Sequence, residues 1–171
     1  MILTKGLMEP SFSPLHPELS PDVRIIDTFS DHFSFNHSGK NDNQCLQQLD
    51  SMVIESSLLQ STAIVTIDAS IKNDIATSIS HMHISNQPLT KTIHYAAFIT
   101  SAEAELFAIR YGINQASAKE SISKIIVVTD SIHVAKKIFD PTSHPLQIHT
   151  VAILKKLCYF FSRNSNNIIE F

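Results

Sequence analysis

Two apolar runs rich in β-branched residues limit the folds open to this chain more than any other feature. One run extends from Ala63 to Ser70 and the other from Lys124 to Asp130. Such runs are typical of strands that are buried on both faces, as the strands of a parallel sheet are. We expect the two runs to be parallel neighbours in the middle of one sheet, joined by a right-handed crossover helix.

The segment between these runs predicts two more strands. The strands Ile75–Ile84 and Thr90–Ile99 are bounded by the polar turns Lys72–Asp74 and Ser85–Pro88. Loops this short join antiparallel neighbours, so the first three strands are expected to form a meander.

The crossover helix is predicted to begin after Thr100 and to end near Ser117. Thr100 and Glu103 fit a capping box, in which each side chain bonds the backbone amide of the other residue. The expected buried stripe consists of Leu106, Ile109, Ile113 and Ala116.

Two helices and the start of a strand are predicted after the second apolar run. The helices span 131–139, ended by Asp140 and Pro141, and 146–161, and the strand begins at Ile168. The fold class expected is α/β, with a mixed five-stranded sheet in the order 3-2-1-4-5 flanked by helices. The last strand is expected to be incomplete.

Residues 1–60 differ from residues 61–171 in proline content and in hydrophobic periodicity. Prolines at 10, 14, 17 and 21 forbid a regular helix there, and only Cys45–Leu59 shows a helical stripe. We interpret 1–60 as an extended arm or linker with a short helix, and 61–171 as the folded domain.

Composition narrows the class of protein. A hydrophobic content of 43% is enough to form a hydrophobic core. A net charge of -3 counts against a protein that binds nucleic acid through an overall positive charge, although a local basic patch would be enough for binding. Two cysteines without a pairing pattern predict a reducing compartment. The N-terminus lacks a signal-peptide core and no run could span a membrane, so an intracellular protein of cytoplasm or nucleus is expected, not a secreted one.

Three acidic residues that are far apart in the sequence are the candidates for a metal-binding site. Asp68 and Asp130 lie at the ends of the apolar runs, and Glu105 lies in the first turns of the crossover helix. An acid in or beside an apolar strand is costly unless it is neutralised, and a divalent cation can neutralise it. Three carboxylates from different elements suit Mg²⁺, with Mn²⁺ as a substitute, and the site would meet at the carboxyl edge of the sheet.

The helix geometry selects Glu105 over Glu103 for this site. Glu105 lies roughly 40° around the helix from Ile109, so it faces the sheet, whereas Glu103 serves the capping box. Two ions about 4 Å apart could then activate water and stabilise the leaving oxygen of a phosphodiester. Asp68 would bridge them, with Glu105 and Asp130 on either side.

Each acid also has a purely structural explanation, which the residues leave open. Asp130 could cap the helix that begins near Ser131, and Asp68 could cap a turn through Ser70 and Lys72. Glu105 could be an acid favoured by the dipole of the first helical turn.

Three short blocks of this sequence resemble the type 1 ribonuclease H domain of retroelement reverse transcriptases. They are Asp68-Ala69-Ser70, Ala104-Glu105-Leu106 and Thr129-Asp130-Ser131, in that order within a βββαβ pattern. The resemblance covers about 63–171. It implies a retroelement-derived endonuclease in which Asp68, Glu105 and Asp130 bind metal and the RNA strand of an RNA–DNA hybrid is cleaved. It also implies an upstream polymerase domain as a partner.

The resemblance also implies substrate contacts, and the sequence departs from the family's pattern at some positions. Ser70, Ser131 and the backbone near Asn73 are candidate substrate contacts, in a family that recognises RNA by its 2′-hydroxyls. Ala69 replaces the usual glycine. The family's fourth acid, its histidine and its last helix would follow Phe171, so the domain is expected to be truncated. This departure and the net charge favour the alternative, a catalytically inactive nucleic-acid-binding or tethering domain of the same fold.

Overall fold

The computed structural model describes residues 58–140, 142 and 145–171, together with 47, 50, 51 and 53–55. Most of the predicted arm 1–60 therefore lies outside the described residues. Within the predicted short helix Cys45–Leu59, residues 47, 50, 51 and 53–55 are helical. The division into an arm and a domain stays a prediction.

One mixed sheet organises the chain from residue 58 onward, and its strand order is β3-β2-β1-β4-β5, as predicted. The pairs β1–β2 and β2–β3 are antiparallel, while β1–β4 and β4–β5 are parallel. The elements in chain order are β1 (Thr62–Lys72), β2 (Ile75–Ile84), β3 (Thr90–Ala97), α1 (Ser101–Ser117), β4 (Lys124–Val128), α2 (Ile132–Lys137), α3 (Gln147–Arg163) and β5 (Ile168–Glu170).

The core lies between the sheet and the helices α1 and α3. Alternate residues of a strand point to opposite faces, and Ala63 and Val65 of β1 belong to the same buried cluster as Leu106 and Ile109 of α1. Helix α3 contributes Ile153, Leu154, Leu157 and Phe160 to this cluster. The face of β1 that carries Val65 is therefore the helix-covered face, and the face that carries Asp68 is the opposite one.

Helix α1 approaches the sheet closely at Gly112. A Cβ atom added there would overlap Val65 Cγ1 and would lie 3.2 Å from Ser80 Oγ. Ser80 is buried. The absence of a Cβ at Gly112 therefore allows α1 to lie this close to Val65 and Ser80.

A two-residue hairpin joins β1 to β2. Lys72 pairs with Ile75, and the intervening Asn73 and Asp74 have φ of 52° and 60°. Positive φ at both central residues defines a type I′ turn, whose twist matches that of paired strands and which Asn and Asp tolerate. Because the turn is this tight, β1 continues to Lys72, beyond the predicted end at Ser70.

Two other strands end earlier than predicted. At the end of β3, Phe98 adopts φ 58° and its N–H donates to the Asp74 carbonyl oxygen at 3.0 Å, so pairing stops at Ala97. At the end of β4, the Ser131 N–H donates to Thr129 Oγ1 at 3.0 Å, which turns the chain after Val128. The helices differ from their predicted ends by one or two residues, within ordinary fraying.

The predicted capping box is present at the start of α1. Glu103 N–H donates to Thr100 Oγ1 at 3.2 Å, and Thr100 N–H donates to Glu103 Oε2 at 2.7 Å. The pKa of Glu103 is lowered by the hydrogen bonds that its carboxylate accepts from Thr100, first from the backbone N–H and then from the Oγ1 hydroxyl at 2.9 Å.

We expect Thr100→Ala to lower the free energy of unfolding by about 1 kcal/mol, because it removes one half of the reciprocal cap. Urea unfolding measures this loss, and Ser101→Ala, at the exposed first position of the helix, is the control. Since the Glu103 pKa is depressed, the contribution of its carboxylate is present above the unfolded-state pKa and is lost as the pH falls through the folded one. Equal losses for both variants would contradict the role of the cap.

Candidate functional site

Asp68 and Asp130 both lie beyond the last residue pair of the neighbouring strands β1 and β4. The parallel register of β1 and β4 runs from Thr62 opposite Lys124 to Thr66 opposite Val128. Two residues further along each chain lie Asp68 and Asp130, and both are exposed. The paired register ends at Thr66 and Val128, and Asp68 and Asp130 each follow that last pair by two residues, toward the carboxyl end of the strand pair.

Asp68 lies within β1 and not at its end. It pairs with Ile79 of β2, and the strand continues for four residues to Lys72. The prediction that Asp68 ends the strand is therefore wrong. The turn that follows Lys72 is formed by Asn73 and Asp74, five and six residues after Asp68.

Asp130 is not the capping residue of the following helix. The N-cap position of α2 falls on Ser131, whose side chain makes no capping hydrogen bond. Asp130 follows the end of β4 by two residues, in the segment turned by the bond between Thr129 and Ser131. The predicted strand end at Asp130 is wrong by these two residues.

Glu105 belongs to the helix on the other face of the sheet. It is 9% exposed and is one of the buried residues of α1, as its angle from Ile109 predicted. Its neighbour Ala104 accepts a 2.7 Å hydrogen bond from Ser78 Oγ, and Ser78 pairs with Ala69. Glu105 therefore lies at about the level of Asp68 along β1, but it is carried by the helix that covers the opposite face.

The three acids have donor chemistry suitable for a hard divalent cation, but Asp68 and Glu105 lie on opposite sides of β1 and Asp130 lies beyond the end of β4. Among the described residues, no group of three or more His, Cys, Asp or Glu side chains is arranged to hold a metal ion. The carboxylate pair Asp68–Asp130 fits such an ion in donor type. A three-carboxylate metal site with Glu105 stays a prediction.

The candidate substrate contacts are spread along the structure. Ser70 is exposed on the same face of β1 as Asp68, two residues further on. Ser131 directly follows Asp130 and is half-buried. Asn73 is exposed in the hairpin, five residues beyond Asp68 and therefore roughly 16 Å away along the strand. The structure thus brings Ser70 and Ser131 near the two aspartates and leaves Asn73 apart.

Sequence reasoning missed two buried serines and an aromatic cluster under α1. Ser78 and Ser80 are buried on the face of β2 that packs against α1. Nothing in the sequence of β2 indicated that these two hydroxyl groups would be buried. The cluster consists of His94, Phe107, Tyr111 and His149, with ring centroids 4.7 Å apart for Phe107 and His149.

Burial against this cluster lowers the pKa of His149, with the charge of Glu103 opposing the shift and that of Arg110 adding to it. A folded-state pKa below the unfolded one means that protonation favours unfolding, so stability falls as the pH drops below about 6.5. We expect His149→Gln to reduce the loss of stability between neutral and mildly acidic pH, measured by urea unfolding. His133→Gln, for an exposed histidine outside this cluster, is the control. An unchanged pH dependence in His149→Gln would contradict the expectation.

No helix in the described part of the chain has the length and apolar character needed to cross a membrane. Comparison with protein-family models finds no match, and comparison with curated proteins finds none either.

Solved structures are similar to this chain in fold. Ribonuclease H1 of the halophilic archaeon Halobacterium salinarum NRC-1 matches with a TM-score of 0.50 and 13% identity, over 64% of this chain and 82% of that chain. The N-terminal ribonuclease H domain of a Mycobacterium tuberculosis protein, solved as a fusion with maltose-binding protein, matches with a TM-score of 0.53 and 14% identity. That match covers 65% of this chain and 80% of the other. Together with the strand order 3-2-1-4-5, these similarities show that this chain has the ribonuclease H-like fold.

Proposed function

We propose that this chain is a ribonuclease of the ribonuclease H type, which uses Mg²⁺ to cleave the RNA strand of an RNA–DNA hybrid. The observation that supports the proposal is the parallel pairing of β1 with β4, whose last pair, Thr66 and Val128, comes two residues before Asp68 and Asp130 in each segment. Two like charges at neighbouring positions repel each other, and a divalent cation relieves that repulsion. Ligands of α/β sheets also gather at this edge.

The proposed metal ligands are Asp68, Asp130 and Glu105. When bound, Mg²⁺ would supply charge stabilisation for the scissile phosphate and an activated water. Glu105 is buried, which restricts the rotamers of its side chain. The position of its carboxylate would therefore be determined by helix α1 and its packing.

The proposed substrate contacts divide by their distance from the aspartates. Ser70 and Ser131, each next to or two residues from an aspartate, can donate to or accept from a 2′-hydroxyl, which DNA lacks. Asn73 in the hairpin would contact the backbone several nucleotides away. Origin from a retroelement and linkage to an upstream polymerase are parts of this proposal.

Cleavage of end-labelled substrates tests the proposal. We expect the purified chain to cut the RNA strand of a hybrid weakly in Mg²⁺, more readily in Mn²⁺, which tolerates irregular coordination, and not in EDTA. Duplex DNA and single-stranded RNA are the substrate controls, and Glu120→Gln, at an exposed acid outside the site, is the protein control. Absence of hybrid cleavage in both metals would overturn the proposal.

A second candidate is a nucleic-acid-binding or tethering domain of the same fold without cleavage. It is favoured by the position of Glu105 on the helix that covers the face opposite Asp68. Hybrid binding in a gel-shift assay, unchanged by EDTA and accompanied by no cleavage in Mg²⁺ or Mn²⁺, would establish this candidate in place of the nuclease.

A further inference from the structure

Helix α3 differs in charge from the chain as a whole. The chain has 16 acidic residues against 13 lysines and arginines. Helix α3 contains no acidic residue in its 17 positions and carries three cations, Lys155, Lys156 and Arg163. Lys155 and Lys156 are exposed, and no salt bridge in the described part of the chain involves either of them. Their charges are therefore available to an anionic partner.

The three cations share one side of α3 with an exposed aromatic ring. Tyr159 is 59% exposed, whereas the apolar side of the helix is packed in the core. At 100° per residue, the three cations and Tyr159 lie within about 100° around the helix axis, and they extend over about 12 Å along it. We call this set the α3 stripe, which consists of Lys155, Lys156, Tyr159 and Arg163.

Arg163 is held beside the ring of Tyr159. Its guanidinium carbon lies 5.9 Å from the ring centroid. Its Nη1 and Nη2 atoms donate to the carbonyl oxygens of Lys119 and Ile122, at 3.4 Å and 3.5 Å. A side chain that is already ordered loses less entropy when it binds a ligand. The same bonds place this end of the stripe at the loop that leads into the amino end of β4, whereas Asp130 follows its carboxyl end.

We propose that the α3 stripe binds single-stranded nucleic acid. Lysine and arginine attract the phosphates, and the release of counterions favours binding. The exposed ring of Tyr159 can stack on a base that is not paired in a duplex, which favours a single strand as the ligand. At a rise of about 3.4 Å per stacked nucleotide, the stripe accommodates about three nucleotides. This binding requires no metal ion and does not depend on the proposed cleavage.

The helix dipole accounts for only part of the stripe. Arg163 lies in the last turn, where a cation is favoured by the dipole. Lys155 and Lys156 lie in the middle of the helix, where the dipole gives no such preference. These two lysines are therefore the residues for which a ligand is the better explanation.

An anionic membrane surface is another partner that would attract these cations. Helices that bind at a membrane surface insert their apolar side between the lipids. The apolar side of α3 is packed against the sheet and α1, where it contributes to the core. Only the charged side with Tyr159 remains for a partner, and this combination favours nucleic acid.

Fluorescence anisotropy with a labelled oligo(dT) of about 12 nucleotides tests the inference, in EDTA and over a series of salt concentrations. For Lys155→Gln combined with Lys156→Gln, we expect weaker binding and a salt dependence of log K that is shallower by about 1.4, since each phosphate contact of a single strand contributes about 0.7. Tyr159→Ala should weaken binding by about 5- to 100-fold with an unchanged salt dependence, because it removes stacking and no charge. Tyr159→Phe, which keeps the ring, should retain the affinity.

Lys72→Gln combined with Lys91→Gln is the charge-matched control, because both lysines are exposed and lie on the strands β1 and β3. Circular dichroism checks that every variant is folded. Equal losses in the two double variants would indicate a response to net charge alone and would overturn the inference.

Three other results would also overturn it. They are no binding of the oligonucleotide by the unmodified chain at low salt, binding of phosphatidylserine vesicles in its place, and tighter binding of a blunt duplex with no effect of Tyr159→Ala. Because binding is measured in EDTA, each result is independent of whether the chain cleaves hybrid, and the proposed function is judged by cleavage alone.

Discussion

Gly112→Ala is expected to destabilise the protein by about 1–3 kcal/mol, the range for overpacking a close contact. The added Cβ would overlap Val65 Cγ1, and Val65 is fully buried in the central strand. Alanine favours a helix over glycine by up to about 1 kcal/mol, so the sign of the change itself reports how close α1 lies to the sheet. Urea unfolding, followed by circular dichroism, measures the effect.

Val65→Ala in the Gly112→Ala background separates this contact from a general loss of packing. Val65→Ala alone removes two buried methyl groups and should also destabilise the protein. Together, the two substitutions should cost clearly less than their sum, because the smaller residue on β1 makes room for the new methyl group on α1. Simple additivity of the two losses would show that the helix and the strand are not in contact at this point.

Asp68→Asn and Asp130→Asn are each expected to abolish hybrid cleavage, with a loss of about 10³-fold or more, since a metal supplies several kcal/mol to such reactions. Hybrid binding should persist in both variants, because the carboxylates are proposed to bind metal and not base edges. Glu120→Gln should retain the activity of the unmodified chain.

The same two substitutions probe the pair without any substrate. In EDTA, each neutralisation removes repulsion between neighbouring like charges, worth a few tenths of a kcal/mol. The double variant should gain less than the sum of the single gains, and the coupling should shrink as salt is added. In Mg²⁺ the unmodified chain should gain thermal stability and the variants should not. A coupling of the opposite sign would mean that the two acids do not face each other.

Much of the fold could be predicted because local signals agreed with the final structure. Strand β2 was predicted with its observed bounds, since its alternating small and apolar residues are flanked by turn residues on both sides. The capping box predicted from Thr100 and Glu103 correctly located the start of α1. The strand order followed from short loops in the meander and from one crossover helix.

The wrong predictions are ends of strands, where local backbone conformation and hydrogen bonding stop the strand pairing. The pattern of apolar and polar residues does not show these features. The β-branched run after Lys124 continues in sequence through Thr129, but the bond of Thr129 Oγ1 to the Ser131 amide competes with strand pairing and ends β4. Likewise, nothing in the sequence marks Phe98 for a positive φ, which stops β3 and leaves its ring 90% exposed.

The residues of the candidate site stay a prediction, and the sequence did not predict how the structure arranges them. Burial of Glu105 followed from its angle on the helix, and this prediction is confirmed. The face of Asp68 was not predictable, because Ile64 and Val65 of β1 are both buried and so the strand shows no contrast between its faces. The aspartate pair depends on a register between segments far apart in the chain, which no local pattern encodes.

The parallel pairing of β1 with β4 also determines when the aspartate pair forms during folding. Paired residues such as Thr62 and Lys124 are separated by 62 positions (124 − 62), whereas the hairpin between β1 and β2 closes over two residues. Closing the long loop costs more chain entropy, so we expect the meander and α1 to be ordered before β4 docks. We also expect the proposed repulsion between Asp68 and Asp130 to act after the rate-limiting step. Neutralising either acid should slow unfolding and leave the refolding rate almost unchanged.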